Sequence, residues 1–106
     1  MSFGEESMST ERYHPLVAND LRDACLHYDA IASVLGARFR MNVQLKFEAI
    51  VERPESFGTI AGCFRAAIIS RFPYVVVFAI ENGITFIYGV RHAASDQTTW
   101  FDRKMP

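Results

Sequence analysis

The most apolar stretch of this 106-residue chain, "RFPYVVVFAIENGITFIYGVRH" at residues 71 to 92, opens on Arg71 and closes on Arg91-His92. By residue type these are the groups that can do chemistry. A guanidinium meets carboxylates and phosphates through paired donors. His92 is a side chain whose charge changes near neutral pH. Arg65 upstream, Tyr74 inside the stretch, and Trp100 and Arg103 downstream extend the set. Each also has a structural reading. Arg65 and Arg71 can be solvated charges, and Arg91 beside Tyr74 can be a cation–π pair. His92 can close a strand with a hydrogen bond, and Trp100 can pack. His14 and His27 show no partner in the sequence, and Ser33, Ser56 and Ser70 sit in no nucleophile motif. Cys25 and Cys63 belong to no CxxC motif and have no His at ligand spacing, so they read as reduced thiols of a cytoplasmic protein. No metal and no cofactor is expected.

Several elements must position these residues. Val17, Leu21, Ala24, Tyr28, Ile31 and Leu35 follow steps of three and four, which predicts an amphipathic helix with Gly36 as its stop. Phe39, Val43, Phe47 and Ile50 predict a second helix ended by Pro54. The two nearly abut, so they should fold back as an αα-hairpin. Residues 54–62 read as a loop, and residues 63–71 as a strand with Arg65, Ala67, Ile69 and Arg71 on one face. Asn82-Gly83 between two β-branched and aromatic runs signals a tight hairpin. Its two-residue turn pairs Glu81 with Ile84, Phe78 with Ile87 and Tyr74 with Arg91. Tyr74, Val76, Phe78, Ile80, Ile87 and Arg91 then share one face, and the basic ends of the stretch converge on one rim of the sheet. Residues 12–17 form a short strand or a lead into the first helix. Ser95 or Asp96 is placed to cap a short helix containing Trp100 and Arg103.

Composition sets the frame. Half the residues are hydrophobic and 22% are charged, as in an ordinary single globular domain, here residues 12–106 behind a polar tail at residues 1–11. The longest apolar run, Phe72 to Ile80, is far short of the ~20 residues of a membrane span. The opening "MSFGEESMSTER" lacks the pattern of a secretory signal. Net charge is −1, but residues 1–36 carry two basic and six acidic groups, and residues 37–106 nine and six. Such asymmetry can orient an encounter with a charged partner, yet it is far from the basic stripe of a nucleic-acid binder. No sequence-specific DNA binding is expected.

Four segments, in order, resemble the RelE/ParE toxin superfamily, and its ParE-like branch in particular. "NDLRDACLHYDAIASVLGARF" (19–39) resembles the first helix of that family, and "ERPESFGTI" (52–60) its Pro-containing loop. "RFPYVVVFAI" (71–80) is similar to the Arg-Phe-Pro-Tyr strand, and "VRHAASDQTTWFDR" (90–103) resembles the closing His…Trp-x-x-Arg segment. Ala66 stands where a second Arg is frequent, and Ser95 and Gln97 stand for an Arg and a Pro of the closing pattern. The resemblance implies an α+β fold: an N-terminal αα-hairpin on a twisted antiparallel sheet of three to four strands, with a short C-terminal helix. It implies a type II toxin–antitoxin module of the plasmid-stabilisation kind, with a cognate antitoxin as partner and assembly as a homodimer or a toxin–antitoxin hetero-oligomer. ParE-like members act on DNA gyrase; RelE-like members cleave mRNA on the ribosome. A third reading is a degenerate toxin fold that only binds an antitoxin. In the inhibitor reading, Arg71, Tyr74, Arg91, His92, Trp100 and Arg103 bind the target. In the nuclease reading, Arg65, Arg91 and His92 stabilise charge on the phosphate and move protons, without a metal. Val76, Phe78, Ile80 and Ile87 would receive the antitoxin as an added strand or docked helix.

Overall fold

Val17, Ala24 and Tyr28, spaced by seven and four, are the buried residues of helix α1, Val17–Ile31, in the computed structural model, which describes residues 10–106. Helix α2, Ser33–Glu52, follows after a single extended residue, Ala32, and buries Gly36, Phe39, Val43 and Ile50. It ends at Glu52, with Arg53 a non-helical cap before Pro54, as expected from the bar that proline sets against a helical preceding residue.

The break between the helices falls earlier than expected, and Gly36 lies inside α2 instead of ending α1. Its role is close approach. A Cβ at Gly36 would sit 1.7 Å from Oδ1 of Asp29 on α1. The Asp29 carboxylate occupies that space and accepts from both terminal nitrogens of Arg40, at 3.0 and 2.6 Å, so a fork of hydrogen bonds clasps the hairpin. Those bonds hold the Asp29 carboxyl below the usual carboxylate range. In an ordinary helix Gly→Ala gains about 1 kcal/mol. Here Gly36→Ala is expected to gain nothing, or to destabilise, while Asp29 is present. In an Asp29→Ala background the same change should stabilise. A double-mutant cycle by urea denaturation checks this, and additive effects would remove the carboxylate from the explanation.

The sheet has five strands in the order β1-β5-β4-β3-β2, two more than the minimum expected. Strand β1, Glu11–Tyr13, runs parallel to β5, so the sheet is mixed. The expected tail at residues 1–11 therefore overlaps a strand at Glu11, and residues 1–9 lie outside the described residues. Strand β2, Thr59–Ala61, lies within the expected loop and pairs irregularly with β3, Phe64–Ile68. Strand β4, Tyr74–Glu81, and strand β5, Ile84–His92, form the central hairpin. Asn82 and Gly83 both take positive φ at its turn, as the Asn-Gly signal requires.

Helices cover one sheet face, packing on Ala67, Val76, Phe78, Ile87 and Val90. The other face is not open. Trp100 is buried on Val75 and Val77, with Phe64, Ala66 and Phe101 around them. Val76, Phe78 and Ile87 are fully buried under the helices. They belong to the core and offer no surface to an antitoxin; Ile80, at the hairpin end, is half-buried. The expectation treated the apolar hairpin as a groove, whereas its own helices and C-terminal segment fill both sides.

Candidate functional site

The hairpin register holds from the turn as far as Phe78–Ile87 and then slips. Val77 pairs with Gly89, Val75 with Arg91 and Tyr74 with His92, so Tyr88 is an extra residue in β5. This bulge overturns the expected Tyr74–Arg91 pair. It moves Val90 to the helix-covered face and puts Arg91 against the C-terminal segment, where it donates to Oγ1 of Thr99 at 3.2 Å. The ring beside Tyr74 is that of His92, with centroids 5.0 Å apart.

A bulge disrupts ladder pairing and leaves backbone groups to be satisfied otherwise. Asp20, in the first turn of α1, accepts from the Val90 N–H at 3.0 Å. Arg103 donates to the Tyr88 carbonyl at 3.0 Å and grips Asp20 through two bonds of 2.6 and 2.8 Å. Both side chains are mostly buried, and the Asp20 bonds raise the Arg103 pKa further above its usual value. A side chain on Gly89 would run into Arg103 at 2.8 Å and Asp20 at 3.1 Å, which explains the glycine. Arg103 is therefore a structural cation. Its partner lies 83 residues away, and only the acidic, off-stripe position of Asp20 hinted at it.

His92 begins a turn whose bonds tie the C-terminal segment down. Its Nδ1 accepts from the Ala94 N–H at 3.0 Å, so the neutral ring carries its proton on Nε2. The Ser95 hydroxyl donates to the His92 carbonyl at 2.6 Å and accepts from the Trp100 indole N–H at 2.8 Å. Ser95 thus anchors Trp100. Asp96 caps the following turn, Gln97–Thr99, accepting from the Thr98 N–H and hydroxyl, which hold its carboxyl below the usual range. The expected short helix is one 3-10 turn; it stops before Trp100, and Arg103 lies beyond it.

What comes together is a shallow hollow of about 300 Å³ between α1 and the end of β5. Asp20, Asp23, Tyr74, Arg91, His92 and Ser95 line it. Tyr74 is half in the core, meeting Phe39 edge to face with ring centroids 5.3 Å apart, and burial raises its phenol above the ordinary value. It stays protonated at neutral pH, which equips it to donate a hydrogen bond and not to act as a base. Of the six residues expected on the target surface, Tyr74, Arg91 and His92 line this hollow. Trp100 is buried beneath the segment and Arg103 is spent on Asp20. Arg71 takes a left-handed φ of 69° in the β3–β4 turn and lines a separate hollow with Arg38, Met41 and Asn42 of α2. Arg65 is bonded to the Phe57 carbonyl and lies on the face of Ala67, which is buried under the helices. Of the three nuclease candidates, only Arg91 and His92 adjoin each other.

No family model matches the chain, and neither does any curated protein. Among solved structures, a chain of "Chromosomal ParDE TA system from P. aeruginosa" superposes with a TM-score of 0.70 at 12% identity, over 80% of this chain and 96% of that one. The α+β architecture expected from the RelE/ParE resemblance, a helical hairpin on a sheet with a closing C-terminal segment, is thus the architecture of this protein.

Proposed function

We propose that this protein is the toxin of a type II toxin–antitoxin module. In this reading a cognate antitoxin holds it inactive, and it arrests growth by binding an essential target, DNA gyrase in the ParE-like case, without cutting RNA. The fold shared with a ParDE structure supports the module. Preference for binding over cleavage rests on one observation: Arg65 is turned to the sheet face opposite Arg91 and is engaged by the Phe57 carbonyl. Phosphoryl transfer needs convergent cations around the reacting phosphate. A rim of Arg91, His92 and Tyr74 instead offers donors to a protein surface.

Arg91 is the test residue. Among the described residues its side chain has one hydrogen bond, to Thr99, so Arg91→Ala should relieve growth arrest while shifting the melting temperature by no more than about 3 °C. Purified protein should block a gyrase supercoiling reaction and leave mRNA intact in a translation reaction. Cleaved mRNA would establish the runner-up, a ribosome-dependent endonuclease acting through the adjacent Arg91 and His92. Inactivity in both, with an antitoxin still bound, would leave the degenerate-toxin reading.

With Val76, Phe78 and Ile87 in the core, the antitoxin needs another surface. Ile60 and Ile68 are exposed on the β2–β3 side, where β2 is the outermost strand. An extended antitoxin segment would add there as a strand. Ile68→Asp should weaken antitoxin capture at least about tenfold without lowering stability; unchanged capture would place the antitoxin elsewhere.

A further inference from the structure

Helix α2 is apolar on two opposite faces. One carries Phe39, Val43 and Ile50 into the core. The other carries Val34, Met41 and Leu45 into solvent, 57%, 66% and 55% exposed. Helix geometry places this second stripe along positions 34, 38, 41, 45, 48 and 52, alternating steps of four and three. That is the spacing of a coiled-coil seam. The residues there are Val34, Arg38, Met41, Leu45, Glu48 and Glu52, and all six are exposed.

The order of these residues is self-complementary. Around a two-fold axis between Met41 and Leu45, an antiparallel second helix sets Met41 opposite Leu45 and Arg38 opposite Glu48. Val34 then meets the aliphatic stem of Glu52. A parallel pairing would instead oppose Arg38 to Arg38 and Glu48 to Glu48. The polarity extends beyond the helix. At its N-terminal half Arg38 shares a hollow with Arg71, and at its C-terminal half Glu48 and Glu52 share one with Glu11. An isologous contact therefore joins a basic end to an acidic end twice. We propose that the outer face of α2 is a homodimer interface, occupied by the α2 of a second copy in antiparallel register. No residue lining the rim hollow belongs to α2, so pairing leaves that site accessible, and the inference does not depend on the proposed activity.

A single helix seam buries less than the ~1,600 Å² of a standard interface, so dissociation is expected in the micromolar range. Sedimentation equilibrium of the full chain, over a micromolar dilution series with a reductant to keep Cys63 from cross-linking, should show a monomer–dimer equilibrium. Arg38→Glu and Glu48→Arg, each alone, should weaken it at least about tenfold, because like charges then meet at both ends. An equimolar mixture of the two variants should restore dimerisation, since every contact in the mixed dimer joins opposite charges. At concentrations low enough to keep the parent monomeric, thermal melts of both variants should match it, both sites being exposed. A chain that stays monomeric throughout, as it would if the stripe serves a different protein, overturns the proposal. So does a dimer indifferent to both reversals, or a mixture that fails to re-form one.

Discussion

Arg103→Ala is expected to destabilise the protein by about 3 kcal/mol, the cost of stripping one partner from a mostly buried ion pair. For a domain of this size that lowers the melting temperature by roughly 15 °C. The cause is what stays behind. The Asp20 side chain, 12% exposed, would keep a charge with only the Val90 N–H against it. The Tyr88 carbonyl at the bulge would lose its donor as well. Asp20→Asn in the Arg103→Ala background should recover part of the loss, because a neutral amide can still accept from Val90 without an uncompensated charge. Arg103→Lys should fall between, as one ammonium cannot reproduce the two-pronged contact and also reach Tyr88. Chemical denaturation of the three variants checks the order. A melt of Arg103→Ala within about 3 °C of the parent would make the pair an ordinary surface bridge.

The same pair shows where the sequence was legible and where it was not. Helix periodicity placed α1 and α2, and Asn82-Gly83 placed the hairpin turn, because each is a local pattern with a local physical cause. β1 and β2, each three residues long, carry too little alternation to stand out, and β1 is fixed by parallel pairing with a strand more than seventy residues away. The largest error came from one residue. A two-residue turn sets register at its own end, but the bulge at Tyr88 shifts everything beyond it by one position, turning Arg91 away from Tyr74 and bringing His92 beside it. The signal was present in pieces. Gly89 interrupts a run of β-branched and aromatic residues, and a glycine inside a strand marks a bulge or a close approach. Here it marks both, since Asp20 and Arg103 crowd the space where its side chain would be. The expected gathering of residues at one rim is met in part for the same reason. Residues near one another in β4 and β5 stayed together, while Arg71, Trp100 and Arg103 were carried elsewhere by a turn, a core contact and a salt bridge.

Trp100→Ala should be as damaging as the loss of Arg103, and it separates two roles that growth assays confuse. The indole is 5% exposed and packs on Val75 and Val77, roofing the sheet face that the helices leave uncovered. Truncation of a buried Trp costs about 3 to 5 kcal/mol, a large share of the ~5 to 15 kcal/mol that keeps a domain folded. Toxicity should vanish with it, through unfolding. Trp100→Phe keeps most of the buried ring and gives up the hydrogen bond to the Ser95 hydroxyl, so it should cost nearer 1 kcal/mol and retain growth arrest. Ser95→Ala should resemble Trp100→Phe, because it removes the other half of that bond. A side chain that stacked on a target would behave differently: Trp100→Ala would melt like the parent and still lose activity. Melting curves measured alongside growth arrest therefore assign Trp100, and an Arg91→Ala variant that is stable yet inactive would isolate the rim as the surface that meets the target.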